Sequence, residues 1–85
     1  MEELILKLKE QIIEALNLED LTPADIDADA PLFGEGLGLD SIDALEIIVL
    51  LERFYGIKFA TPGDGRAVLT SVRAIAEYVT ANRKK

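Results

Sequence analysis

The chain has 85 residues, 49% of them hydrophobic and 29% charged, a composition typical of one small globular domain. Its 16 acidic and 9 basic residues give a formal net charge of −7, which argues against nucleic-acid binding because phosphate contacts need clustered lysine and arginine. Cysteine and histidine are absent, which excludes disulfides, thiolate metal sites and catalysis by a thiol or an imidazole, so we expect any reactive group to come from outside the twenty amino acids.

The apolar spacing near the start predicts an amphipathic first helix from about Glu2 to Leu16, ending near Asn17. Its apolar stripe would consist of Leu4, Ile5, Leu8, Ile12, Ile13 and Leu16. A long connection over residues 18–40 follows, in which Thr22-Pro23-Ala24-Asp25 predicts one helical turn. The apolar residues expected to hold this connection on the core are Ile26, Leu32, Phe33, Leu37 and Leu39.

A second helix is predicted from Ser41 to Tyr55, closed by Gly56. Its core stripe would be Ala44, Ile47, Ile48, Leu51 and Tyr55. The backbone just before it is loosened by three glycines, Gly34, Gly36 and Gly38.

After Thr61-Pro62-Gly63, the segment Asp64 to Leu69 is expected to hold a short helix or turn at best. Thr70 or Ser71 would cap a last helix with the core stripe Val72, Ile75, Ala76 and Val79. The sequence therefore predicts an all-α fold, a small three- to four-helix bundle with a long loop between the first and second helices.

The chain shows no sign of a membrane span, because no apolar run approaches the roughly 20 residues that one needs. Its first residues are acidic where a secretory signal would be basic. We therefore expect a cytoplasmic protein, forming a single domain over residues 1–85 and acting as a monomer.

The negative charge is concentrated in one part of the chain. Twelve acidic residues and no lysine or arginine lie between Glu10 and Glu52, whereas seven basic residues and two acidic ones follow from Arg53 onward. The acidic loop holds Asp25, Asp27 and Asp29 at alternate positions, but the glycine and glutamate of a calcium loop are missing after them, so we expect no metal site.

Ser41 admits two interpretations. Serine is a common N-cap, and on capping preference alone that interpretation is favoured. However, Asp40 can already serve as the cap, with Asp43 in the capping-box position, which would leave Ser41 free to point outward. A phosphate ester on Ser41 would then lie in the favourable field of a helix N-terminus.

Apolar residues also lie on the outward side of the predicted second helix. Ile42 and Val49 fall away from the core stripe, on the same side as Glu46 and Arg53. This side is either an acidic face that keeps the protein in solution or a docking surface with apolar contacts and carboxylates that attract basic partners.

The segment Gly38-Leu39-Asp40-Ser41-Ile42-Asp43-Ala44-Leu45-Glu46-Ile47 resembles the phosphopantetheine attachment motif of acyl carrier proteins. The first helix, the loop with Pro31-Leu32-Phe33, the helix ending Tyr55-Gly56-Ile57 and the later Thr70-Ser71-Val72 fit the same family, so the resemblance covers essentially the whole chain.

This resemblance implies that Ser41 carries 4′-phosphopantetheine, transferred from coenzyme A by a phosphopantetheinyl transferase (holo-carrier synthase). The thiol of this arm would hold acyl groups as thioesters, so the protein would have no catalytic residues of its own. Asp40 would be recognised by the transferase. The residues implied to contact ketosynthases, acyltransferases and other acyl-processing enzymes with basic docking patches are Ile42, Asp43, Glu46 and Val49. The buried stripe of the second helix would line a cleft for short acyl chains.

The sequence departs from the family pattern after the second helix. Residues 60–69 contain one acid, one base and two glycines where fatty-acid carriers have an acidic helix, and Lys58 stands where an acid or a neutral residue is expected. The implied pathway is fatty-acid or polyketide-type biosynthesis. The sequence around Ser41 is similar to that of specialised carriers such as those of aryl-polyene pathways. A peptidyl or D-alanyl carrier and a helical adaptor that never receives the arm remain the alternatives.

Overall fold

The computed structural model describes residues 2–33 and 38–83, and in these ranges four helices pack into a bundle. The helices are α1 (Glu2–Ala15), α2 (Ser41–Tyr55), α3 (Pro62–Val68) and α4 (Val72–Asn82). A 3₁₀ turn, Pro23–Asp25, lies in the connection between α1 and α2. No helix within the described ranges has the length and apolar character needed to cross a membrane. The predicted all-α bundle is confirmed.

The third helix is longer than the sequence predicted. It begins at Pro62 rather than near Asp64, because the Thr61 hydroxyl accepts a hydrogen bond from the Asp64 backbone N–H, 3.2 Å away, and so caps an earlier start. The prediction of a short helix here is therefore confirmed, with a start two residues earlier than expected.

The core is formed by one side of each long helix together with side chains from the connecting segments. The predicted stripe of α4 is wholly buried, whereas in α1 only Ile5, Leu8 and Ile12 are buried and the rest of the stripe packs beside them. In α2 the prediction needs one correction: Ile48 is half-buried, and Leu50, which was not assigned to the core, is 4% exposed. Both differences follow from the positions of α1 and α3 beside α2.

The long connection is held against the start of α4. The Leu32 N–H donates to the Thr70 carbonyl at 3.0 Å, and the Arg73 N–H donates to the Ala28 carbonyl at 2.9 Å. The Arg73 guanidinium also pairs with the Asp29 carboxylate, which raises the pKa of Arg73. These contacts fix the loop that leads into α2.

Apolar side chains of the same connection reach the core as expected. Ile26, Leu32 and Leu39 are buried and Phe33 packs partly buried against them. Leu37, Gly34 and Gly36 lie outside the described residues.

Candidate functional site

The start of α2 is built around the Asp40 side chain. One carboxylate oxygen of Asp40 accepts hydrogen bonds from the backbone N–H groups of Ile42 and Asp43, at 3.0 and 3.1 Å. The Asp43 carboxylate in turn accepts from the Asp40 N–H at 3.1 Å. This is the predicted capping box, and it satisfies three backbone donors that the helix itself leaves unpaired.

Ser41 is the first residue of α2 and is exposed to solvent. Since Asp40 occupies the capping position, the Ser41 hydroxyl is not needed for the cap. No hydrogen bond joins it to any residue of the ranges 2–33 and 38–83. The interpretation of Ser41 as the N-cap is therefore wrong, and its hydroxyl is available for reaction.

The backbone that leads into Ser41 is anchored on one side. Leu39 is 8% exposed, and its N–H donates to the Leu32 carbonyl at 3.2 Å. Gly38 before it has φ 70°, a left-handed conformation that glycine adopts without strain. A buried leucine thus holds the chain two residues before an exposed serine.

The outward side of α2 carries the apolar residues that the sequence placed there. Ile42 is 70% and Val49 is 56% exposed, and Glu46 lies exposed between them. Leu45, 48% exposed, extends this surface and was not foreseen. Asp43 is half-buried, and its carboxylate is engaged in the capping box.

Phe54 is a second residue of α2 whose exposure the sequence did not predict. It lies seven residues after the buried Ile47, so the helical period places it toward the core. At the end of α2, however, the neighbouring part of α1 presents Lys7, Gln11 and Glu14, and Phe54 stays 49% exposed. The polar stripe of α1 was the available signal.

The cleft expected along the core stripe of α2 is closed in this structure. Ala44, Ile47 and Leu51 are completely inaccessible. On the α3 side, Gly65 lies so near Ile48 that a Cβ atom at Gly65 would stand 2.7 Å from the Ile48 Cδ1. Open clefts lie instead between α1 and α2.

A comparison with protein families identifies the chain. Residues 6–79 match the family model described as "Phosphopantetheine attachment site". The chain belongs to this family. A curated relative, the acyl carrier protein of Wolinella succinogenes, is 28% identical over 76 residues, a stretch that covers 89% of this chain and 92% of that protein. Both similarities extend over nearly the whole chain.

Members of this family are carriers rather than catalysts, and the predicted identification as an acyl carrier protein is confirmed. The family cofactor is 4′-phosphopantetheine, bound covalently. The start of α2 fits such a group, because it offers an exposed hydroxyl that no described residue engages, at a helix N-terminus where an anionic phosphate diester is favoured. Carriers of this kind are served by phosphopantetheinyl transferases and acyl-processing enzymes.

Proposed function

We propose that Ser41 is the attachment residue and that the protein carries acyl intermediates on the resulting arm. The observation that supports this most is the exposed Ser41 hydroxyl, which bonds to no residue of the ranges 2–33 and 38–83, beside a complete Asp40 cap. When bound, the arm supplies the thiol that the chain itself lacks, and this thiol holds acyl groups as thioesters.

The part of this chain in the loading reaction is that of an acceptor. The Ser41 Oγ forms a bond to the phosphorus next to the pantetheine, the pyrophosphate bond of coenzyme A breaks, and adenosine 3′,5′-bisphosphate leaves. The Ser41 proton goes to a base of the transferase, while Asp40 keeps its role as the cap through the two backbone hydrogen bonds that its Oδ1 accepts. The diester gains about 0.3–1 kcal/mol from the N-terminal end of the helix dipole.

The surface beside Ser41 is proposed to dock partner enzymes such as a ketosynthase or an acyltransferase. Ile42 and Val49 provide apolar contact, and Glu46 between them attracts basic patches. Asp40 is exposed, so its carboxylate can contact the transferase while it caps the helix, and Asp43 contributes its charge from the same turn.

The proposed cargo is an acyl group of fatty-acid or polyketide-type biosynthesis. The neutrality of α3, which holds one acid and one base, supports a specialised pathway of the aryl-polyene kind over a housekeeping one. We further propose that the carrier acts as a single-domain monomer in the cytoplasm.

Intact-mass measurement tests the attachment residue. The wild type, incubated with coenzyme A and a promiscuous phosphopantetheinyl transferase, should gain the mass of the arm, and Ser41→Ala should gain nothing. The chain contains one other serine, Ser71, so Ser71→Ala is the matched control and should be modified like the wild type. No mass gain on the wild type, or loss of the gain in Ser71→Ala alone, would contradict the proposal.

A further inference from the structure

Two adjoining clefts form a groove between α1 and the second half of α2, with volumes of about 300 and 320 Å³. Both clefts are lined by Gln11, Glu14 and Phe54. We call this feature the α1–α2 groove and define it by Gln11, Glu14, Glu46, Val49, Arg53 and Phe54. It adjoins the docking surface beside Ser41, because Glu46 and Val49 belong to both.

The middle of the α1–α2 groove is apolar. Val49 and Phe54 are about half exposed, and the buried Leu50 lies between them along the helix. Single exposed apolar residues are common on protein surfaces, but here two large ones line one concave surface. An exposed aromatic ring in a concavity is the kind of residue that contributes most when a partner covers it.

Gln11, which lines both clefts, is anchored to the core. The buried Tyr55 hydroxyl donates a hydrogen bond to the Gln11 Oε1 at 2.7 Å. Burial raises the pKa of Tyr55. The wall that α1 gives to the groove is therefore held in place at Gln11.

Acidic residues outnumber basic ones along the groove. The first cleft is lined by Glu14 and Glu46 with Arg53, and the second by Glu10 and Glu14 with Lys7. A basic side chain of a partner is therefore attracted to the groove, where Glu14 and Glu46 line the cleft that also holds Val49.

We infer that the α1–α2 groove docks an amphipathic helix of a partner enzyme, with a basic residue against Glu14 and Glu46 and a large apolar side chain between Val49 and Phe54. The inference rests on the proposed function in taking the partner to be an enzyme that acts on the carried group. A second copy of the chain is a poorer occupant, because each copy carries a net charge of −7. In this arrangement the docking surface extends from α2 toward α1. It does not extend toward α3, because α3 holds one acid and one base and has no net charge to attract a basic partner.

The test is an NMR titration of the full-length, ¹⁵N-labelled protein with a synthetic helical peptide. The peptide presents lysine on one turn and leucine on the next two turns of a single face. We expect amide shift changes concentrated at Gln11, Glu14, Val49 and Phe54. A control peptide with glutamate in place of lysine should bind at least about tenfold more weakly.

Two substitutions, at apolar residues of similar exposure, distinguish binding in the groove from nonspecific binding to exposed apolar side chains. Phe54→Ser should weaken binding of the lysine peptide at least about tenfold, because it removes the aromatic contact. Leu6→Ser is the matched control: Leu6 is 50% exposed and lines neither cleft of the groove but lies beside Ile5 and Arg73, and its loss should leave binding unchanged. Glu14→Lys, which keeps Phe54 in place, should weaken binding as well.

If Phe54→Ser and Leu6→Ser weakened binding of the lysine peptide equally, the inference would be overturned. Amide shift changes centred on α3 and α4, or equal affinity for the two peptides, would also overturn it. Dimerisation of the free protein through Phe54, seen by sedimentation, would assign the groove to a second copy instead. Shift changes at Phe54 on loading the arm would assign it to the cargo. If the wild type takes up no arm, the proposed function fails; if it takes up the arm but Phe54→Ser binds normally, only the docking inference fails.

Discussion

The N-termini of α2 and α4 are both capped by a side chain that accepts hydrogen bonds from backbone N–H groups, but the capping residue differs. At α4 the Ser71 hydroxyl is the cap and accepts a hydrogen bond from the Ala74 N–H at 3.1 Å. At α2 an aspartate is the cap, and the serine follows one residue later, with its hydroxyl engaged by none of the described residues. The comparison teaches that a serine at a helix start is free for chemistry only when another residue supplies the cap.

Of the substitutions that test this difference between the two helices, removal of the α2 cap should change the free energy of unfolding most. Asp40→Ala should lower the free energy of unfolding by about 2 kcal/mol, because two backbone donors lose their acceptor and a favourable charge leaves the helix N-terminus. Urea unfolding followed by circular dichroism measures this. Asp40→Asn keeps an acceptor oxygen and should stay within about 0.5 kcal/mol of the wild type. Equal stability of Asp40→Ala and the wild type would contradict the assignment of Asp40 as the cap.

Replacing each serine with alanine measures how much its hydroxyl contributes to the stability of its helix. Ser71→Ala should cost about 1 kcal/mol of unfolding free energy, since the Ala74 N–H loses its partner. Ser41→Ala should change stability by less than about 0.5 kcal/mol, because its hydroxyl has no structural contact with a described residue. Unfolding curves that show the reverse order would mean that Ser41, not Asp40, holds the start of α2.

The smallest expected effect concerns a glutamate five residues after Ser41 and another six residues after Ser71. Glu46→Lys should slow loading of Ser41 by about threefold at low salt, because a rim charge acts mainly on the association rate. The difference should fade as ionic strength rises. Glu77→Lys makes the same charge change on the exposed side of α4 and should load like the wild type. Equal rates for both variants across a salt series would remove the steering argument.

Much of the site could be predicted because it depends on local rules. The bounds of α2, its Gly56 end and the Asp40–Asp43 capping box all follow from neighbouring residues, and the structure confirms each of them. The same local chemistry placed the turn at Pro23–Asp25. There the Asp25 carboxylate accepts from the Thr22 N–H and hydroxyl, which lowers the pKa of Asp25.

The burial of other residues in and around α2 depends on which parts of α1 and α3 pack against it. Short-range sequence patterns do not determine that packing. Periodicity assigned Ile48 rather than Leu50 to the core of α2, since it could not know where α1 and α3 would lie. The exposure of Phe54 has the same origin: its neighbour on α1 is polar at that level. The contact of Gly65 with Ile48, which closes the α2–α3 side, became visible only in three dimensions.

Ser41 is expected to bear the arm, and the arm an acyl group. Mass spectrometry of the protein purified from its own cells, with fragmentation to locate the modified residue, tests both parts at once. We expect phosphopantetheine on Ser41, with part of the population heavier by an acyl group whose mass identifies the pathway. An unmodified protein, an arm on Ser71, or an aminoacyl cargo would contradict this expectation.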